Sequence, residues 1–87
     1  MPYDQVGTAM SKTFVTVLAQ FDTKGNIMPV RFIWPDNRQF SIDRVVDVRM
    51  APSLKAGGHG IRYTCKAMGR QFYMFFDDEE NKWYVEH

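Results

Sequence analysis

The fold is decided by residues 61–86, IRYTCKAMGRQFYMFFDDEENKWYVE, in which apolar and polar side chains alternate over three short runs. A period of two is typical of β-strands, whose successive side chains point to opposite faces of a sheet. Glycine supplies the positive φ of a tight hairpin, so we place a type II′ turn at Gly69-Arg70. The polar segment 78–81 is the next turn. The stretch therefore predicts a meander of three antiparallel strands.

The two predicted turns determine which side chains share a face. The first turn pairs Cys65 with Met74, and the second pairs Phe76 with Trp83. Both hairpins then collect one apolar set on the same face, and a slip of one residue in either turn would destroy that agreement. We predict that this inner face is core. Its members are Ile61, Tyr63, Cys65, Ala67, Phe72, Met74, Phe76, Trp83 and Val85.

The opposite, outer face is the candidate binding surface, because it combines aromatic with basic side chains. Sheet-borne aromatic rings beside cations bind single-stranded nucleic acid, and an exposed apolar patch on a small domain also marks a protein interface. In one alternative, Phe75 pairs with Tyr84 across the strands and Lys66 lies over Tyr73, so that the face stabilises the sheet without a ligand. In the other, the 12–34 hairpin or a second copy of the protein buries the face. The candidate residues are Arg62, Lys66, Tyr73, Phe75 and Tyr84.

Upstream of the meander, the sequence predicts a hairpin and a bent strand. Residues 12–22 and 27–34 form the hairpin about a turn at 23–26, with Pro29 at an edge or bulge because it lacks an N–H. Residues 38–50 form the next run, and Arg44 interrupts its apolar face, which indicates a bend where the strand passes into another sheet.

The predicted domain is residues 12–87, preceded by a flexible arm at 1–11, with a mobile loop at 51–60. We expect an all-β fold of six or seven antiparallel strands, a small meander closing into an SH3-like or OB-like barrel or a half-open sandwich. The expected core is Val15, Val17, Phe21, Val30, Phe32, Trp34, Phe40, Ile42, Val46, Val48, Tyr63, Cys65, Phe72, Met74, Phe76 and Trp83.

Length and composition limit the possible functions. Eighty-seven residues with 45% hydrophobic side chains suffice for one core, while a net charge of +1 gives no general attraction for nucleic acid. The single cysteine, Cys65, excludes an intramolecular disulfide. No apolar run approaches the roughly 20 residues of a membrane span, and the N-terminal segment lacks signal-peptide character. We therefore expect a cytoplasmic protein with no membrane partner.

From Pro29 to Tyr84 the chain resembles a family of short, uncharacterised bacterial domains. The shared pattern is a Pro-x-x-Phe-x-Trp opening, a basic residue after a turn, an alternating strand, a Tyr-containing strand and a closing acidic turn followed by Trp. The resemblance implies a small β-barrel or sheet domain without an assigned activity. The positions that carry it are Pro29, Phe32, Trp34, Arg38, Ile42, Val46, Tyr63 and Trp83.

Motifs for catalysis or metal binding are missing from the sequence. His59, His87 and Cys65 lack the spacing of a zinc site, and the acidic turn lacks the alternation of a calcium loop. No serine or threonine has a nucleophile-elbow context, and the glycines near His59 do not form a phosphate loop. The sequence thus predicts a non-enzymatic binding module without cofactor. The first hypothesis is that the module binds a protein partner or forms a homodimer, and the alternative is that it binds single-stranded nucleic acid.

Overall fold

The computed structural model describes residues 11–52 and 59–86, which form seven antiparallel β-strands. The predicted all-β class is confirmed. Residues 1–10 of the predicted arm, residues 53–58 of the predicted loop and His87 lie outside the described residues. The strands are β1 Lys12–Phe21, β2 Ile27–Ile33, β3 Gln39–Ser41, β4 Arg44–Pro52, β5 His59–Ala67, β6 Arg70–Asp77 and β7 Lys82–Glu86.

The strands form one curled half-barrel sheet in the order β3-β2-β1-β7-β6-β5-β4. Strand β1 joins its two halves, because residues 12–15 pair with β7 and residues 16–21 pair with β2. The edge strands β3 and β4 follow each other in the chain. At the corner between them, the Ile42 N–H donates to the Val30 carbonyl at 2.9 Å and the Asp43 N–H donates to the Lys66 carbonyl at 2.8 Å. The chain thus crosses from one edge to the other beside Arg44, where a bend was predicted.

The meander β5–β6–β7 has the predicted faces, although its first turn is displaced. Phe76 pairs with Trp83 as predicted, but Cys65 pairs with Phe72 instead of Met74. The turn residues are Met68 and Gly69, with φ of 54° and 71°. Positive φ at both central positions defines a type I′ turn, whose twist matches that of the flanking strands. Moving a turn by one residue shifts the pairing by two, so every side chain keeps its face.

The β1–β2 hairpin contains a bulge that overturns part of the predicted core. Val17 pairs with Phe32, but the register shifts next to Leu18, and Val30 is the extra residue. Because Pro29 cannot donate to the ladder, this neighbourhood accommodates a bulge, as predicted. Val30 is consequently 42% exposed.

Three further core predictions were wrong for a related reason. Phe21 pairs with Ile27 at the tip of the hairpin, and its side chain is 74% exposed. A second bulge, between Val45 and Asp47, leaves Val46 without a partner on β5. Val46 and Val48 are 40% and 45% exposed, because β4 is an edge of the sheet that the described residues form and pairs there with β5 alone.

The core is centred on the meander. Tyr63, Cys65 and Met74 are fully buried, and Phe32 of β2 closes over them with Trp83 and Val85. The Tyr63 hydroxyl donates to the Ile27 carbonyl at 2.6 Å, so it links the meander directly to β2. The partly buried residues around this centre include Val15, Val17, Trp34, Phe40, Ile42, Phe72 and Phe76, as predicted.

Candidate functional site

The register places all five predicted binding residues on the outer face of the sheet. Cross-strand partners share a face, so successive partners across β4, β5, β6, β7 and β1 form rows. The rows are Arg44, Lys66 and Gln71; then Asp47, Thr64, Tyr73, Glu86 and Lys12; then Arg49, Arg62, Phe75, Tyr84 and Phe14.

The aromatic centre of this face is buried. Phe75 and Tyr84 are 4% and 3% exposed, and their rings stack at 5.1 Å with planes only 2° apart. The Lys12 ammonium lies 4.2 Å from the centre of the Tyr84 ring. The predicted cross-strand pair of Phe75 and Tyr84 is therefore present. These two rings do not offer accessible faces on which a base stacks.

The rest of the predicted set is more accessible. Tyr73 is 38% exposed and Lys66 is exposed. The cation over the Tyr73 ring is the Arg62 guanidinium, 4.7 Å from the ring centre, rather than the predicted Lys66. The accessible part of the predicted surface is thus Tyr73 with its two basic neighbours.

The outer face also holds two buried polar atoms, Arg62 Nε and Glu86 Oε2, that have no hydrogen-bond partner among the described residues. Burial raises the pKa of the Glu86 carboxyl, while the nearby charges of Lys12 and Arg62 oppose that shift. A buried acceptor without a donor is costly, and it marks a position where a ligand can supply one.

An aromatic cleft of about 600 Å³ opens between β2, β3 and β6. Three phenylalanine rings form its wall: Phe32 lies 5.2 Å from Phe40 and 5.5 Å from Phe72, between ring centres. Sequence reasoning missed this cleft because it treated these rings as closed core. The remaining lining residues include Trp34, Arg38, Arg70, Gln71, Tyr73 and Glu86.

A second depression, the basic depression, adjoins the aromatic cleft and shares Arg70 and Gln71 with it. Its volume is about 550 Å³, and its other lining residues are Asp43, Arg44, Lys66 and Gly69. Arg44 lies directly opposite Lys66 in the sheet. Like charges in that position are destabilising. Sequence analysis did not find this depression, because it assigned Arg70 to the turn and not to the first position of β6.

The edge strand β4 is a third exposed feature. Its apolar side chains Val46, Val48 and Met50 are 40%, 45% and 68% exposed. Between them, the Arg49 Nε donates to the Asp47 carboxylate at 2.8 Å, and this contact lowers the pKa of Asp47. In the described part of the chain, β4 pairs with β5 alone.

The single cysteine, Cys65, is buried in the core. Burial raises the pKa of the Cys65 thiol to about 12, so the nucleophilic thiolate is suppressed. Within residues 11–52 and 59–86, no three His, Cys, Asp or Glu side chains gather to hold a metal ion. The same residues include no helix with the length and apolar character needed to cross a membrane.

Comparisons of the chain with models of protein families, with curated proteins and with solved structures each returned no match. The resemblance to short bacterial domains therefore stays a prediction.

Proposed function

We propose that this protein is a non-enzymatic binding module and that it self-associates by pairing the β4 edges of two copies. The observation that carries the proposal is the exposed apolar edge of β4, with a charged residue between each pair of apolar ones. An edge strand presents unpaired backbone groups, and another strand is the natural partner for them.

The sequence of β4 complements itself. In an antiparallel pair with a two-fold axis at Val48, each Val48 faces the Val48 of the second copy, and Val46 faces Met50. Asp47 then faces Arg49 of the second copy, twice by symmetry. Apolar and opposite-charge pairs of this kind contribute roughly 0.2–1 kcal/mol each. The bulge at Val46 keeps the regular contact short, so we expect a reversible dimer.

The other edge of the sheet lacks these features. Strand β3 has three residues, and Arg38 beside it forms an ion pair with Asp36 at 2.6 Å. Short length and flanking charge are the usual protections of an edge strand. The β4 edge is three times as long and exposes valine and methionine. These differences support self-association through β4 rather than β3.

Light scattering over a range of concentrations tests the proposal. The wild type is expected to approach twice the monomer mass as its concentration rises. Asp47→Arg sets arginine against Arg49 of the second copy at both symmetric positions, so this variant should stay monomeric. Combining Asp47→Arg with Arg49→Asp restores opposite charges and should restore the dimer.

Asp36→Arg is the matched control, because it disrupts an exposed aspartate–arginine contact of the same spacing outside β4. This variant should keep the wild-type mass. A wild type that is monomeric at every concentration would refute the dimer. An Asp47→Arg variant that dimerises as well as Asp36→Arg would show that β4 is not the interface.

Single-stranded nucleic acid on the outer face is the second candidate, supported by the exposure of Tyr73 beside Arg62 and Lys66. It ranks below self-association because Phe75 and Tyr84 are buried. This candidate requires that Tyr73→Ala weaken oligonucleotide binding, and that the affinity fall with salt.

A further inference from the structure

The aromatic cleft and the basic depression meet at Arg70 and Gln71, and their linings differ chemically. The basic depression holds three cations, Arg44, Lys66 and Arg70, against one carboxylate, Asp43. Ion pairs in the described part of the chain involve other residues. Neither Arg44 nor Lys66 forms an ion pair within the described structure, so their mutual repulsion remains, and a bound anion would relieve it.

The aromatic cleft offers the complementary environment for a flat ring. Trp34, Phe40 and Phe72 are half-buried along it, so parts of these rings are accessible. Its volume of about 600 Å³ lies within the range of small-ligand sites. These rings offer faces on which a flat ligand ring stacks.

We propose that the two clefts together bind a nucleotide unit, with its phosphate in the basic depression and its base in the aromatic cleft. A phosphate joined through a sugar to a flat base combines the two chemistries that the adjoining linings accept. The unit is either a free nucleotide or one residue of a single-stranded nucleic acid. The site lies outside the outer-face pair of Phe75 and Tyr84, and it does not depend on dimer formation at β4.

Calorimetric titration tests the proposal with two probes, adenosine 5′-monophosphate and a single-stranded oligoadenylate of about ten nucleotides. Quenching of Trp34 fluorescence is the second readout, because Trp34 lines the aromatic cleft. Arg70→Gln and Lys66→Gln should each weaken binding roughly tenfold or more, since each removes a charged hydrogen-bond donor. With the oligonucleotide, each should also lower the slope of log affinity against log salt by about 0.7.

Arg31→Gln is the matched control, because Arg31 is exposed on β2 and lines neither cleft. This variant should bind both probes almost as well as the wild type. Phe40→Leu removes one ring of the cleft and should weaken binding roughly 5- to 150-fold, the range for loss of one stacking contact. The charge variants lie at exposed positions, so they keep the test decisive if Phe40→Leu fails to fold.

Each outcome supports or overturns the site. Binding of both probes identifies a site for a free nucleotide that also accepts a chain, and binding of the oligonucleotide alone identifies nucleic acid; either supports the proposal. Binding of neither probe overturns it, as does an equal loss in Arg31→Gln. Inorganic phosphate or polyglutamate that competes as well as the nucleotide would show an anion site without base recognition, which also overturns it. The light-scattering mass reports separately on self-association.

Discussion

The two halves of the curled sheet are built from similar strands but are buried to different extents. The half containing β5, β6 and β7 supplies Tyr63, Cys65 and Met74, which are at most 1% exposed. In the half containing β2, β3 and the second part of β1, Phe32 is buried, whereas Phe21 at the hairpin tip is 74% exposed. Alternation therefore defines a face in both halves, but the number of neighbouring strands decides whether that face becomes core.

Truncating one apolar side chain in each half should give the largest difference between the halves in the free energy of unfolding that is lost. Met74→Ala empties space in the centre of the core and is expected to lower the free energy of unfolding by about 2–5 kcal/mol. Phe21→Ala should change it by no more than about 0.5 kcal/mol, because that ring is already largely in water. Urea unfolding measures both. Equal losses would mean that the β1–β2 tip is buried in solution.

Replacing one glycine by asparagine in each half should give a smaller difference in stability loss. A Cβ at Gly60 of β5 would lie 2.8 Å from the Phe76 carbonyl oxygen on β6, so Gly60→Asn should lose about 1–3 kcal/mol by forcing these strands apart. Gly25, in the β1–β2 turn, has φ of 84° and open space around it. Because asparagine tolerates left-handed backbone, Gly25→Asn should lose about 1 kcal/mol or less. Thermal unfolding of the two variants compares them; a larger loss at Gly25 would contradict the close approach at Gly60.

Removing the hydroxyl of Tyr63 should loosen the link between the halves. Tyr63→Phe deletes the 2.6 Å bond to the Ile27 carbonyl and is expected to lower stability by about 1 kcal/mol. Hydrogen exchange should accelerate more in β2 than in β6, because the core packing of β6 is retained. Tyr73→Phe, on the half-exposed outer ring, is the control and should leave both measurements near wild type. Uniform acceleration across the sheet would show that this bond does not act as a local link.

The smallest expected effect is a pH dependence that comes from Glu86 at the end of β7. Its pKa in the folded chain is raised above the ordinary value of 4.5, so folding favours the protonated carboxyl. The stability it contributes is present below pH 4.5 and declines as the pH rises through the raised pKa. Glu86→Gln should lack this decline, whereas Glu79→Gln in the exposed turn should retain it. Identical pH profiles for Glu86→Gln and the wild type would assign the pH dependence to other groups.

The sequence was sufficient to predict the faces of the meander, because an error of one residue in the turn position leaves every side chain on the same face. Placing the turn at Gly69-Arg70 instead of Met68-Gly69 changed every pair in that hairpin but no side chain's face. The I′ turn was not predictable from residue preference, since methionine rarely adopts the positive φ of Met68. The bulges at Val30 and Val46 were equally hidden, and they account for exposed valines that the alternation assigned to core.

Prediction of the candidate site had the same limit. Sequence placed Tyr73, Phe75 and Tyr84 on one face correctly, but periodicity carries no information on what covers a face. The stack of Phe75 on Tyr84 and the aromatic cleft depend on contacts between strands distant in the chain. Arg70, Arg44 and Lys66 line the same depression, and this arrangement also depends on the corner between β3 and β4.

The pairing of β1 with β7 has a consequence for the order in which the protein folds. Lys12 lies opposite Glu86, so the seam between the two halves joins the first described strand to the last. The hairpins of the meander close over short turns, a process on the order of microseconds, whereas this seam closes only after most of the chain has been brought together. During synthesis, β1 emerges long before its partner. Completion of the sheet is therefore a late step, and until then the inner side of the β1–β2 hairpin is open to chaperones and to other nascent chains.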